Sequence, residues 1–172
     1  MLIEVSPAGP GSTQGWCKWP GNLVRCALGR GGIRARKREG DGVTPSGTWP
    51  LRHVLYRGDL VSPGPLPLPS RAIRLCDGWS DDPQDSRYNR PVVLPSAFSH
   101  ERLWRADRLY DLVLVLGYND HPPVAGRGSA IFLHRARDGF APTEGCVALA
   151  WDDLLRLVGA LDARTVIRIR ED

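Results

Sequence analysis

The sequence predicts a mainly β domain, a sandwich or barrel-like body with one helix late in the chain and a weaker second one, formed by residues 1–172 as a single domain. Three observations carry that reading. The apolar residues fall in short runs of strand length. Fifteen prolines and nineteen glycines separate the runs, and strand signals resume promptly on both sides of them, which marks loops and not linkers. A chain of 172 residues with 42% hydrophobic content is also long enough to bury one core of ordinary size. No internal repeat interrupts the pattern.

Taken in order, the strand signals are "NLVRCAL" from Asn22, "WPLRHVLY" from Trp49, "AIRLC" from Ala72, "DLVLVLG" from Asp111, "AIFLH" from Ala130 and "TVIRI" from Thr165. A short buried strand, "VALA", follows Cys146. The segment "WDDLLRLVGAL" has a different period. Leu154, Leu155, Val158 and Leu161 recur at helical spacing, and Asp152 and Asp153 suit the positive end of a helix dipole. The weaker second helix is expected over "SAFSHERLWRAD", residues 96–107.

Composition removes several function classes. The longest apolar run, Leu112 to Gly117, is far short of the roughly 20 residues that cross a bilayer, so no membrane association is expected. The N-terminus has neither a basic start nor an apolar stretch of leader length, which sets the expectation of a cytoplasmic protein, or a periplasmic one if translation starts further upstream. Under that expectation Cys17, Cys26, Cys76 and Cys146 are reduced thiols. No Cys-x-x-Cys pair occurs and no two histidines lie at short ligand spacing, so neither a metal nor another cofactor is expected. The net charge of +4 has one dense focus, "RARKRE" at Arg34 to Glu39. No aromatic residue interleaves it and acids follow at once, so it reads as a solvated turn and not as a nucleic-acid contact.

The chemistry-bearing pair is His134 and Cys146. Cys146 stands where the loop "TEG" enters a buried strand, and Gly145 before it allows close backbone approach and N–H donors for an oxyanion. A thiol of ordinary pKa, about 8.5, is only a few per cent thiolate at neutral pH, so it needs a base or positive charge beside it. His134, at the end of "AIFLH", supplies that base if its strand neighbours the one that follows Cys146. The order of His before Cys disfavours papain-like enzymes. On spacing alone the plainer readings stay open: a small buried thiol and a partnered histidine at a strand end.

These residues resemble the L,D-transpeptidase catalytic domain family, the YkuD-type peptidoglycan enzymes. The likeness runs from about Gly29 to Ile169 through "KREGDGVTPSGTW", "GSAIFLH" and "TEGC", in the family's order. The stretches "GWSDDPQDSRYNRPV" and "SHERLWRADRLYDLVLVLGYND" look like those of a subgroup. Many members carry His before the Gly-Cys pair and Arg two positions after the cysteine, where this chain has Glu144 and Ala148, and its His-to-Cys connection is shorter.

The resemblance implies a Cys146 nucleophile, a His134 base often oriented by a backbone carbonyl, and acyl transfer on peptidoglycan stem peptides. The bond cut joins the L-centre of diaminopimelate to D-alanine. Water as acceptor gives an L,D-carboxypeptidase, the reading favoured here, in muropeptide recycling; an amine gives the transpeptidase. Carbapenems are expected to form thioesters. Thr143 and Glu144 flank the substrate in this reading. Tyr88 and Asn89, with Trp79 and Asp82, form a cluster that holds either a sugar-peptide ligand or its own Asx turns. Ser129 and Asn119 orient His134 or cap turns. Arg105 and Arg102 suit carboxylates of the stem peptide unless solvated. Lys37 is a further carboxylate contact.

Overall fold

The computed structural model describes residues 1–171. Its strands are β1 (Leu2–Pro7), β2 (Gln14–Trp19), β3 (Asn22–Ala27), β4 (Ile33–Arg34), β5 (Thr44–Pro45), β6 (Gly47–Tyr56), β7 (Ser70–Ala72), β8 (Asp77–Ser80), β9 (Pro91–Val93), β10 (His100–Arg102), β11 (Leu112–Leu116), β12 (Phe132–Arg135), β13 (Val147–Leu149) and β14 (Val166–Ile169). The helix α1 (Trp151–Gly159) lies between the last two.

The main sheet runs β11-β12-β13-β3-β2-β1-β14-β6, and β6 pairs back onto β11, so eight strands close into a barrel with β7 appended to β6. An eight-stranded barrel is just wide enough for side chains to fill it. Alternation along each strand therefore fixes two environments. Leu112, Leu114 and Leu116 of β11, Leu133 of β12, and Val147 and Leu149 of β13 point inward to one apolar cluster with Ile3, Val5, Cys17 and Cys26. Val113, Val115 and Phe132 point outward, and so does Cys146 just before β13.

That outer face is covered by the chain between β7 and β11. Strands β10-β8-β9 form a separate antiparallel sheet, and Trp79, Leu103, Leu109 and Tyr110 from this excursion bury the outward residues in a second apolar cluster. Trp79 stands edge-on to Phe132, ring centroids 5.3 Å apart.

Four details depart from the sequence reading. Residues 96–107 form no helix: His100–Arg102 pair with β8 as β10, and the Asp107 carboxylate takes the Leu109 N–H and the Arg105 guanidinium, stabilising a turn instead. Of "AIRLC", only Ala72 is in a strand; Arg74 and Asp77 close a turn, and Leu75 is exposed. In α1 the inward residues are Leu154, Leu157 and Val158, whereas Leu155 is 39% exposed. Strands β1 and β2, unread in the sequence, carry period-two burial and seal the barrel between β3 and β14. No helix of the described residues is long and apolar enough to cross a membrane.

Candidate active site

Strands β12 and β13 are parallel neighbours, with Leu133 opposite Val147 and His134 opposite Ala148. Parallel pairing requires the chain to travel back along the strand before re-entering, and residues 136–146 make that return. The register places Cys146 beside Phe132 and two residues short of His134, all three on the outer face. From strand rise and spacing this diagonal is about 8 Å between Cα atoms. Thiol and imidazole both line one cavity of about 420 Å³, walled also by Tyr110, Ala130, Thr143 and Ala148.

The thiol is tied to backbone in this state. Cys146 Sγ donates to the Ala130 carbonyl at 3.3 Å and accepts the Phe132 N–H at 3.4 Å. The His134 imidazole is not among its hydrogen-bond partners. His134 instead directs Nδ1 at the Arg135 carbonyl, 2.8 Å away, which places the proton on Nδ1 and leaves Nε2 as the basic nitrogen. Burial pushes the Cys146 thiol up to about 12, against a smaller opposing pull from the Phe132 N–H. Burial likewise drives His134 down to about 4, opposed by its backbone hydrogen bond. The pair therefore rests as a neutral thiol and a neutral imidazole.

The turn into Cys146 is built by close backbone contacts. Gly145 has φ +130°, and a Cβ there would stand 2.7 Å from the Val43 carbonyl oxygen. Gly29 packs behind it: a Cβ at Gly29 would meet the Gly42 carbonyl oxygen at 2.1 Å and Gly145 Cα at 3.0 Å. Thr44, wholly buried, accepts the Gly29 N–H at 2.8 Å. The Thr143 hydroxyl donates to the Cys146 carbonyl at 2.6 Å and accepts the Gly145 N–H at 3.2 Å, so Thr143 organises the turn from the cavity wall and engages the Gly145 donor.

The remaining sequence candidates divide. Arg105 and Glu144 line the cavity; Glu144 is exposed at its mouth, paired with Arg30 at 2.6 Å. Lys37 departs from the solvated-turn reading: its side chain is 2% exposed and its carboxylate partner is Asp41, 3.0 Å away. The Lys37 ammonium sits 3.2 Å from where a Gly145 Cβ would be, behind the cysteine turn and off the cavity wall. Tyr88 and Asn89 are also buried and internally satisfied. Asn89 accepts from Trp79 Nε1 at 2.9 Å and from the Ala130 N–H at 3.1 Å, and donates to the Tyr118 and Asn119 carbonyls. The Tyr88 hydroxyl donates to Glu39 and accepts the Gly128 N–H. Both shape the approach to Ala130, with no free group left for a ligand. Asp82 closes an Asx turn on Gln84, and Arg102 is exposed on β10, off the cavity wall. Ser129 donates to Glu39 and Asn119 spans Val124 and Gly128, so neither meets His134; the imidazole's polar partner is backbone.

The structure adds Tyr110, Glu39, Glu101 and Asp81 to the cavity wall. No local signal marked them, because each reaches the site through the excursion or a loop whose docking no short pattern records. Among the described residues no group of three His, Cys, Asp or Glu side chains converges to hold a metal ion.

A barrel carrying a thiol at a glycine turn and a backbone-oriented imidazole on the neighbouring strand suits a cysteine enzyme. The family model of the L,D-transpeptidase catalytic domain, YkuD, matches residues 17–169, and the chain belongs to that family of peptidoglycan-related cysteine enzymes. Among solved structures it is similar to the helical cell shape determining protein Pgp2 from Campylobacter jejuni, at 14% identity and a TM-score of 0.47 over 99% of this chain and 47% of that one. The chain thus spans about half the length of that protein. No curated protein matches it.

Proposed function

We propose that the protein is an L,D-carboxypeptidase acting on peptidoglycan stem peptides. The observation that carries the acyl transfer is the placement of Cys146 and His134 on one outer face, in one cavity, with Nδ1 of the imidazole held by the Arg135 carbonyl. Nε2 takes the thiol proton as sulfur attacks the carbonyl between the L-centre of diaminopimelate and D-alanine. The C–N bond breaks, the imidazolium returns its proton to the departing amine, and D-alanine leaves a thioester on Cys146. Water then attacks that thioester, His134 accepts its proton and passes it to the sulfur as the C–S bond breaks.

Hydrolysis is favoured over cross-linking by Ala148. This small residue faces His134 across β12 and β13 and lines the cavity, at the place where members of the family often carry the arginine that helps shape the acceptor site. The setting we propose is turnover of muropeptides in the cytoplasm.

Purified protein is expected to release D-alanine from a diaminopimelate-containing tetrapeptide, and Cys146→Ala to abolish release. Supplying D-methionine with the tetrapeptide decides the acceptor: an exchange product or a peptide dimer by mass spectrometry would assign the transpeptidase instead. A carbapenem is expected to add its mass to Cys146. No adduct and no D-alanine would leave a peptide-binding module. Fractionation of cells locates the protein, and recovery outside the cytoplasmic membrane would overturn the recycling role.

A further inference from the structure

Among the described residues His134 has no carboxylate partner. Its ring is held at Nδ1 by a single backbone carbonyl, and one hydrogen bond leaves an imidazole free to tilt about that contact. The second restraint comes from the excursion. Tyr110, 7% exposed, meets the imidazole edge-to-face, ring centroids 5.1 Å apart and planes at 76°. It meets Phe132, the preceding outward residue of β12, in the same way at 5.8 Å. The Arg105 guanidinium stands over Tyr110, 5.0 Å from the ring centroid. Arg105 is fixed in turn by Glu101 at 2.8 Å and by two hydrogen bonds to Asp107. The backbone closes the arrangement, since the Arg135 N–H donates to the Leu109 carbonyl at 3.3 Å. Residue 135 therefore anchors both the imidazole and the segment that carries Tyr110.

We propose that Tyr110 is a positioning residue for His134: its ring keeps Nε2 directed toward Cys146, and Arg105, braced between Glu101 and Asp107, keeps Tyr110 in place. The inference rests on the reading of Cys146 and His134 as the acyl-transfer pair.

The test needs no peptide substrate. The rate of Cys146 alkylation by iodoacetamide, which reports the reactive thiolate, is followed by mass spectrometry of the Cys146 peptide. Wild type, Tyr110→Phe, Tyr110→Leu, His134→Ala and the Tyr110→Leu/His134→Ala double variant are compared. Tyr110→Phe is expected to stay within about twofold of wild type, and Tyr110→Leu to lose on the order of tenfold, as misorientation does. The double variant is expected to react no more slowly than His134→Ala, because Tyr110 acts through the histidine. Wild-type reactivity in Tyr110→Leu, equal losses in the Phe and Leu variants, or additive losses in the double variant would each overturn the inference. If Tyr110→Leu does not fold, Arg105→Met takes its place: a partial loss supports the stack and an unchanged rate overturns it. A His134→Ala variant as reactive as wild type would remove the acyl-transfer reading instead. Nitrogen NMR of His134 then decides the positioning separately, with the Nδ1–H tautomer expected to persist in Tyr110→Phe and to be lost in Tyr110→Leu; persistence in both would overturn it.

Discussion

The inner and outer faces of the same barrel hold cysteines of opposite character. Cys17 and Cys26 project into the closed interior among Ile3, Val5, Leu149 and Leu157, and burial raises both thiols, Cys26 to about 12. Cys146 is raised to about the same value by the same cause. Burial and pKa therefore do not separate them. What separates them is the face: outward at the β13 entrance the sulfur lines a cavity beside an imidazole on the adjacent strand, whereas the inner thiols lie in the packed core, Cys26 with its own backbone donor from Gly15. Strand parity, not residue type, decides which thiol meets the cavity.

That contrast is most directly broken at the sulfur itself. Cys146→Ala is expected to reduce D-alanine release below detection, whereas Cys17→Ala, a change on the inner face, retains turnover and lowers the melting temperature; an active Cys146→Ala would dissolve the distinction. Removing the base comes next. His134→Ala is expected to lower kcat on the order of a hundredfold or more, the range of a general base, with the fold intact by circular dichroism. Gly145→Ala tests the turn. With φ at +130° and Val43 in the way, it is expected to cost about 1–3 kcal/mol in denaturant unfolding and most of the activity.

The pH profile sharpens the comparison further. His134 stays neutral down to about 4 instead of its ordinary 6.5, so the acid limb of kcat/KM is expected near pH 4, and a limb near 6.5 would show a solvated histidine. The linked stability has the same origin. Between 6.5 and about 4 the unfolded chain takes up a proton at this residue that the folded chain refuses, so the folded state loses stability as pH falls through that window; His134→Ala is expected to lose that part of the dependence. The smallest effects on turnover belong to α1. Leu157→Ala is expected to cost about 2–5 kcal/mol of stability and Leu155→Ala roughly 0.5 kcal/mol or less, both with near-normal activity.

The barrel-like class is legible because apolar alternation and glycine-proline punctuation are local, and β3, β6, β11, β12 and α1 each carry their own signal. Local pattern does not decide where a competing local interaction or a distant partner does. The Asp107 turn outcompeted a helix at 96–107, and Leu155 lost the buried position to Leu157 because the rotation of α1 is set by the barrel it caps. At the site, Gly145 was legible from its place before the cysteine. Lys37 was visible as a residue, but not that it lies buried behind that turn with Asp41. Tyr88 and Asn89 suit either a ligand site or a self-satisfied loop in the sequence, and only the folded chain shows their hydrogen bonds spent on Glu39, Gly128, Trp79 and Ala130.

By itself, then, the sequence determined β3, β6, β11, β12 and β14, the late helix and the alternation that puts Phe132 and His134 on one side of β12 and Leu133 on the other, because a two-residue period needs only neighbours along the chain. The tertiary structure alone decided that β12 and β13 run parallel with Cys146 two residues short of His134, and that Tyr110 and Arg105 arrive from the excursion to meet the imidazole. Register and docking depend on contacts between residues far apart in sequence, and no local period encodes which distant surface a strand will meet.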